Sequence, residues 1–539
     1  MLPIIPILLI ITFLVSIAAL LILIWSLSKG HFNMGPESAK ILFANDEVGS
    51  PEDPTLDDNQ LKSFKNELVQ VKTYPETSHT DERKNSFQEI DLSTYRVTKY
   101  LLISSIFWLV LGSIFGVMTS FKFNYPDWLT NYYGLTFGVL RPLHLSSVIY
   151  GWLSMAGLGV SIWMVPRLVK TKLRMELLAI VGTHIWNFGM VLGLTALFFG
   201  FTDGLEWLEF PWAIDMLFVI SGAMIGIPIL TTIKYRNVGH LYVSVWYIGA
   251  ALVWFPILFF IANFPGVHFG VEHAIVNWWF AHNVLGLWLT PFGLSAAYYF
   301  IPKILGRPIH SYQLSLLGFW SLALFYSQVG VHHLIGGPVP TWLVTLSIVT
   351  SVMMIIPVLA VAINHHMTVW GYFRLVPKSP TLLFIVTGAM FYTLTSFQGS
   401  LQSLRAVNQL FHFTHATVAH AHMGVYGFVS MIMFGSFYFI LPRITGFEWP
   451  KKSLIKWHYI FAVGGFLIYF IFLSYGGLIQ GLEMLDINID FDTIVKNTRP
   501  YLYARSIGGT FMMLSHFIFA YHVWAFFKSK NKNYSLGRI

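Results

Sequence analysis

Long uninterrupted runs of apolar residues, separated by short polar stretches, set the pattern of the chain. The first extends from about Leu2 to Trp25. Twelve more follow, at approximately 97–121, 143–165, 177–200, 212–233, 241–263, 276–300, 312–335, 341–364, 381–400, 411–441, 457–480 and 503–527. An apolar run of 18 or more residues is long enough to cross a bilayer as a helix. The pattern therefore predicts an all-α, polytopic membrane protein, a twelve-helix bundle with one extra transmembrane helix at its N-terminus. Residues 29–93 break the pattern. They are polar and charged, with PEDPTLDDNQLKSFKNELVQ and SHTDERKNSFQE among them, and read as a loop or partly disordered linker. The predicted units are an N-terminal helix at 1–28, the linker at 29–93, the bundle at 94–530 and a basic tail at 531–539. The opening run has no basic residues before it and no small-residue cleavage site after it, so it reads as a retained anchor.

Composition agrees: 55% of the 539 residues are hydrophobic and 11% charged. Charge placement adds an orientation. Alternate loops carry Arg167, Lys170, Lys172 and Arg174, then Lys234 and Arg236, Lys303 and Arg307, Arg374 and Lys378, and Arg443, Lys451 and Lys452. The intervening loops hold Asp203, Glu206, Glu209, Glu272, Glu483, Asp486, Asp490 and Asp492. Basic loops face the cytoplasm, which puts the linker and C-terminal tail inside and the N-terminus outside. There is no cysteine, which excludes disulfides, thiolate metal sites and covalent haem attachment.

Six histidines stand out against this background: His144, His282, the pair His332-His333, and His420 with His422. In the topology set by charge alone, all six fall at similar depth near the outer face. Ionisable residues in membrane helices are costly, so a convergent set points to function. On one helix, His420 and His422 point about 200° apart and can serve two sites. Haem iron takes axial imidazole, and His144 is at the depth of a second axial ligand. His282, His332 and His333 remain as an all-imidazole set, which suits copper better than non-haem iron. Between Asp215 and Glu448 the one acid is Glu272, in a loop. The pair His365-His366 lies at the opposite end of its segment and reads as interfacial. His184, His240, His458 and His516 show no partner pattern.

With these residues in view, the chain resembles the catalytic subunit of the haem-copper oxygen reductases, in particular the C-family, cytochrome cbb3 type. The stretches that carry the likeness are YRVTKYLLISSIFW, RPLHLSSVIYGW, WWFAHNVLGLWLT, YYFIPKILGRPIHSYQLS, FYSQVGVHHL, SLRAVNQLFHFTHATVAHAHMG and GSFYFILPRITG. The resemblance implies a twelve-helix haem-copper oxidase bundle in a bacterial inner membrane. It implies that His144 and His422 hold a low-spin haem b, that His420 is the proximal ligand of a high-spin haem b3, and that His282, His332 and His333 hold copper B. It makes Tyr326, six residues before His332, the tyrosine joined to a copper-ligating histidine that supplies an electron and a proton to O₂. Nitric oxide reductases of the same superfamily lack that tyrosine.

The same likeness implies a proton path through Thr290, Tyr298, Tyr299 and Ser315. Gly318 departs from it, standing where the family often has a channel histidine, and so does Gln398, in SFQGS, where glutamate is usual. Arg141, Arg405 and His412 sit at the outer boundary against the charge trend, as partners of haem propionates would. Without cysteine the chain carries no haem c or copper A, so electrons are expected from membrane-anchored c-type cytochrome subunits, with cytochrome c as donor. FLVSIAALLILIWSLSKGHFNMGPESAKILFANDE resembles a small single-helix oxidase assembly protein, which makes the chain read as a fusion. The expected activity is proton-translocating reduction of O₂ to water. Nitric oxide reduction and a non-catalytic haem-binding assembly role are the alternatives.

Overall fold

The computed structural model describes residues 4–30, 36–43, 47–69, 81–264, 266 and 269–529. The basic tail beyond Ser529 and part of the linker fall outside them. Among the described residues the architecture is a helical bundle. Helix α1 (Ile4–Ser28) comes first, then the short α2 (Asp58–Val69). Twelve helices long and apolar enough to cross a membrane follow: α3 (Phe87–Asn124), α4 (Phe137–Leu168), α5 (Glu176–Phe198), α6 (Trp212–Lys234), α7 (Val243–Ala262), α8 (Gly270–Leu305), α9 (Tyr312–Leu334), α10 (Thr341–Val369), α11 (Pro380–Gln402), α12 (His415–Thr445), α13 (Ser453–Met484) and α14 (Phe491–Ser529). All twelve predicted spans are present in order, most of them longer at their ends than the apolar runs that marked them. Helix α1 packs against α9.

Three spans form the interior. In α4, α8 and α12 the most apolar stretch is 94%, 89% and 89% buried, against 39–67% in the other nine. Small residues allow close approach between these three, as is usual for helices in lipid. The ring of Phe292 on α8 fills the space a Cβ on Gly157 of α4 would need, and Phe428 on α12 does the same at Gly293 of α8. Each of the three also widens to a π-helical segment, at Ser147–Ser154, Val284–Leu289 and Met423–Ser430. Such segments recur at functional sites. Ser154 and Ser430 close two of them by donating to carbonyls five residues back, Ile149 O at 2.7 Å and Val425 O at 3.0 Å. Those hydroxyls in turn accept from Trp288 and Trp152, each at 2.9 Å, so the π turns tie α8 to α4 and α4 to α12.

The three interior helices end alike, in Pro166-Arg167, Pro302-Lys303 and Pro442-Arg443. All three cations are buried, which is costly unless a carboxylate is at hand. Asp91 on α3 serves Arg167 at 2.7 Å. The other two acids come from the linker, Glu47 to Lys303 at 2.5 Å and Glu52 to Arg443. Backbone bonds run beside them, Gly49 N to Gly306 O at 2.7 Å and Glu52 N to Ile304 O at 3.1 Å. Asp53 accepts from Ser379, from Thr381 at 2.8 Å and from Thr55. Glu67 on α2 meets Lys378 at 2.6 Å. The segment expected as a loop or partly disordered linker is thus an ordered strap over the basic end at 36–43 and 47–69, with Leu42, Phe43, Phe64 and Leu68 buried. Its acids match buried cations that hydropathy cannot locate. The bundle also begins before residue 94, since the first spanning helix starts at Phe87.

Replacing both strap acids, Glu47→Gln with Glu52→Gln, takes a carboxylate from each of two buried cations, a change worth on the order of 3 kcal/mol for a buried pair. The expected result is a lower thermal midpoint and faster protease cleavage within residues 36–69. Lys40→Ala, which breaks an exposed pair with Glu37, should change neither. Equal protection of the double variant would show that the strap is held by something else.

Candidate metal centre

One cavity of about 520 Å³ collects all six histidines singled out in the sequence, together with Tyr326. They arrive from the same end of four helices: His144 on α4, His282 on α8, His332 and His333 on a 3₁₀ turn (Gly330–Leu334) closing α9, and His420 with His422 on α12. On α4, α8 and α12 the π segment begins within three residues of the histidine, so the irregular backbone lies directly under the site.

The histidines form two groups. The rings of His144 and His422 face each other, nearly parallel at 12°, with centroids 6.3 Å apart. Their Nδ1 atoms lie 2.8 Å from Gly112 O and 2.9 Å from Val418 O. A carbonyl can only accept, so both Nδ1 atoms carry the proton and both Nε2 atoms the lone pair, that of His422 lying 3.3 Å from the Tyr469 hydroxyl. With imidazole–metal bonds of about 2 Å, the gap accommodates one metal between two axial rings. A Cβ on Gly116 would lie 2.7 Å from the His144 ring, so only glycine keeps that wall open.

In the second group, His282, His332 and His333 each offer one nitrogen, all within 4.8 Å of one another. His332 Nδ1 is 2.9 Å from Ser351 Oγ, which already donates to Ser347 O at 2.6 Å, so the imidazole is the donor. His282 Nδ1 is buried without a partner. Trp278 stacks on His333 at 4.3 Å. The Tyr326 ring lies 5.0 Å from that of His282 and occupies the place a side chain at Gly286 would fill, one turn along α8. Among the described residues no carboxylate joins the three. Between the groups stands His420, its Nδ1 3.2 Å from Gln398 Oε1. The neutral amide thus sits where a carboxylate was the usual expectation.

The anchors expected for anionic groups divide. Arg141 lines the cavity but pairs with Glu206 at 2.6 Å. His412 lines it too, stacked on Phe413 at 3.8 Å, and burial lowers its pKa. Arg405 does not line it: the side chain is exposed and donates to Thr345 at 3.2 Å. The buried guanidinium that sequence reasoning missed is Arg505 on α14, which lines the cavity 4.7 Å from the Phe123 ring with Nε unpartnered. Its signal was a lone arginine at the outer end of the last apolar run. Glu209, in the loop before α6, is buried, and burial with Glu206 nearby pushes its carboxyl up to about 8.

The expected proton path is brought together only in part. Thr290 lines the cavity and Tyr298 is buried. Ser315 donates to its own turn, at Tyr312 O, and Tyr299 accepts from Arg167 at 3.2 Å, on the side of the Asp91 pair. Of the pair read as interfacial, His366 is half-buried against Thr393, whereas His365 is only 2% exposed and packed on Tyr298. Neither lines the cavity. His516, unassigned in the sequence, does, 2.5 Å from Ser113 Oγ and 3.2 Å from the Tyr426 hydroxyl.

Residues 96–511 match the family described as Cytochrome C and Quinol oxidase polypeptide I. The chain is 31% identical over 447 residues to the "Cbb3-type cytochrome c oxidase subunit CcoN1" of Stutzerimonas stutzeri, covering 80% of this chain and 94% of that one. It is also 31% identical over 465 residues to "Cytochrome c oxidase subunit 1" of Rhodobacter capsulatus, covering 81% and 86%. Among solved structures, the chain is similar in fold to one from a cryo-EM study of a haem-copper terminal oxidase dimer, with a TM-score of 0.65 at 18% identity over 80% of this chain and 84% of that one.

Gly286→Ala tests the packing at the second group. The added methyl displaces the Tyr326 ring from beside His282, so metal affinity at the three imidazoles should fall by about 10–100-fold, as for changes next to ligands. Helix content by circular dichroism should stay at wild type. Full metal content in the variant would show that Tyr326 does not pack on α8 in the loaded protein.

Proposed function

Because the chain belongs to the Cytochrome C and Quinol oxidase polypeptide I family, as a cbb3-type subunit I of a haem-copper cytochrome c oxidase, we propose that it reduces O₂ to water in the histidine cavity and couples this to proton translocation. His144 and His422 hold the low-spin haem b, His420 the high-spin haem b3, and His282, His332 and His333 copper B. What supports this is the sharing of one cavity by a facing bis-imidazole pair and a three-imidazole cluster with Tyr326 against it. Bound there, the haems and copper supply electron transfer and the binding of O₂.

The chain's own groups do the rest. Nδ1 hydrogen bonds hold the ligating rings in one tautomer, with Nε2 presented inward. The Arg505 guanidinium, with an unpartnered Nε, would receive a propionate of a bound haem, and Arg141 would share its charge between Glu206 and a second carboxylate. Tyr326 would supply a proton from Oη and one electron from its ring to O₂, the other electrons for the cleavage coming from the bound haems and copper. Electrons come from membrane-anchored c-type cytochrome subunits, with cytochrome c as donor, since a chain without cysteine carries no haem c or copper A of its own. The basic end with its strap faces the cytoplasm and the cavity lies near the outer face. Helix α1 and the first part of the strap act as a fused assembly segment.

Tyr326→Phe removes one hydroxyl and keeps the ring that fills the space beside Gly286. Haem content should survive, while O₂ turnover falls by orders of magnitude, because the lost group acts in bond cleavage and not in binding. Turnover of NO should fall less. Near-normal O₂ consumption by the variant, or a wild-type complex that turns over NO faster than O₂, would replace this reading with nitric oxide reduction. In His422→Ala the low-spin haem spectrum should disappear while the chain still inserts.

A further inference from the structure

An imidazole buried in a membrane bundle is costly, and a ring nitrogen left there without a partner more so. Three histidines outside the six are held in this way. His458 on α13 and His522 on α14 are wholly buried, and His516 on α14 is 5% exposed. Tyr426, Phe434 and Tyr438 of α12 stand among them. Nearest the basic end, His522 donates from Nε2 to Pro450 O at 2.5 Å, and its ring lies 5.9 Å from that of Tyr438. The Tyr438 hydroxyl is 3.0 Å from His458 Nδ1. Next comes the Phe434 ring, 4.5 Å from His458 and 5.8 Å from His516. His458 also interacts electrostatically with both of the other histidines. His516, Tyr426 and Ser113 line the cavity. On α14, His522 is six residues from His516 and six from Lys528, or about 9 Å each way at 1.5 Å per residue. The array therefore spans from the basic end to the cavity.

The hydrogen bonds decide which nitrogens are free. A carbonyl only accepts, so His522 keeps its proton on Nε2, and its Nδ1 carries a lone pair without a partner. His458 Nε2 is unpartnered too. Ser113 Oγ already donates to Leu109 O at 2.5 Å, so it accepts from His516 Nδ1. His516 Nε2 then accepts from the Tyr426 hydroxyl at 3.2 Å. That hydroxyl has a second neighbour in Ser515 Oγ at 3.4 Å, and can turn to it when His516 takes a proton on Nε2. Both N–H groups of a charged His516 would then have acceptors. The array ends beside the facing pair: Ser113 follows Gly112, whose carbonyl takes the Nδ1 proton of His144.

We propose that His522, His458 and His516, with Tyr438 and Tyr426, relay a proton from the basic end to His516 when the haem between His144 and His422 takes up an electron. One electron enters and one proton follows, so the charge is compensated beside the pair. Each imidazole accepts on one nitrogen and releases from the other, as histidine shuttles do. A water at His458 Nε2 carries the step past Phe434. The proton rests on His516 and leaves when the electron does, so no other reactant is consumed. This rests on the haem reading of His144 and His422. It uses α12, α13 and α14, apart from the α8 and α9 residues of the expected path.

The test uses the whole complex in oriented vesicles without O₂, with a pH-indicator dye on the basic side. Reduction of the low-spin haem should draw protons from that side. His458→Phe keeps a ring against Phe434 and Phe519 and deletes both nitrogens. Haem content and spectra should stay at wild type, while proton uptake slows by about 10²-fold, the usual worth of a lost proton-transfer group. His458→Gln should recover part of the rate. Tyr438→Phe, which loses one hydroxyl and keeps its ring, should slow uptake as well and guards against a folding defect in the first variant. His184→Ala, at an exposed position on α5, should change nothing. Wild-type uptake in both His458→Phe and Tyr438→Phe, or uptake from the opposite side in the unmutated complex, sinks the relay alone. Absence of a low-spin haem in the unmutated complex sinks the haem reading instead.

Discussion

Everything at the site depends on where the Nδ1 protons go. An imidazole in an apolar bundle can turn either nitrogen toward a metal, and a wrong choice leaves a buried N–H without an acceptor. Here the choice is made by the scaffold for four of the six histidines: Gly112 O takes the Nδ1 proton of His144, Val418 O that of His422, Ser351 Oγ that of His332 and Gln398 Oε1 that of His420. Each bond is worth only about 1 kcal/mol net. Its larger effect is to fix tautomer and ring orientation before any metal arrives, which is how partners beyond the ligands tune metal sites. The one amide among them, Gln398, is a weaker acceptor than a carboxylate.

Three of these four histidines, His144, His420 and His422, stand on an interior built as three alike helices. In α4 and α12 the residues after the histidines read YGWLSM at Tyr150–Met155 and YGFVSM at Tyr426–Met431. In both, the serine closes a π turn and accepts from an indole of a neighbouring interior helix. Each of the three then ends on proline and a buried cation that needs an acid. The histidine end and the basic end of the bundle are therefore linked through the same three rods, and the strap acids stabilise the end opposite to the histidines.

Much of this was legible in the sequence. Hydropathy marks twelve spans, because a bilayer demands length and apolarity, and loop charge brought six histidines to one depth that the cavity then confirmed as one place. What stayed hidden depends on partners far apart in the chain. Glu47 and Glu52 look like linker acids until Lys303 and Arg443 are seen to be buried, and Arg405 and Arg505 are alike in sequence although only the second enters the cavity. His365 beside His366 suggested a polar pair at an interface, whereas one ring turns into the bundle and the other outward. The π turns were hidden because a 100° step per residue was assumed throughout, although the repeated Tyr-Gly-x-x-Ser-Met was there to be read.

Six imidazoles in one cavity divide into a facing pair, a lone ring and a cluster of three. Haem and metal stoichiometry on the purified complex tests it most directly, with the optical spectrum recorded before and after CO. Two b-type haems and one copper are expected for each copy of this chain beyond those of the cytochrome subunits, with CO shifting one haem only. A single haem b, or iron in place of copper at the three imidazoles, would contradict it.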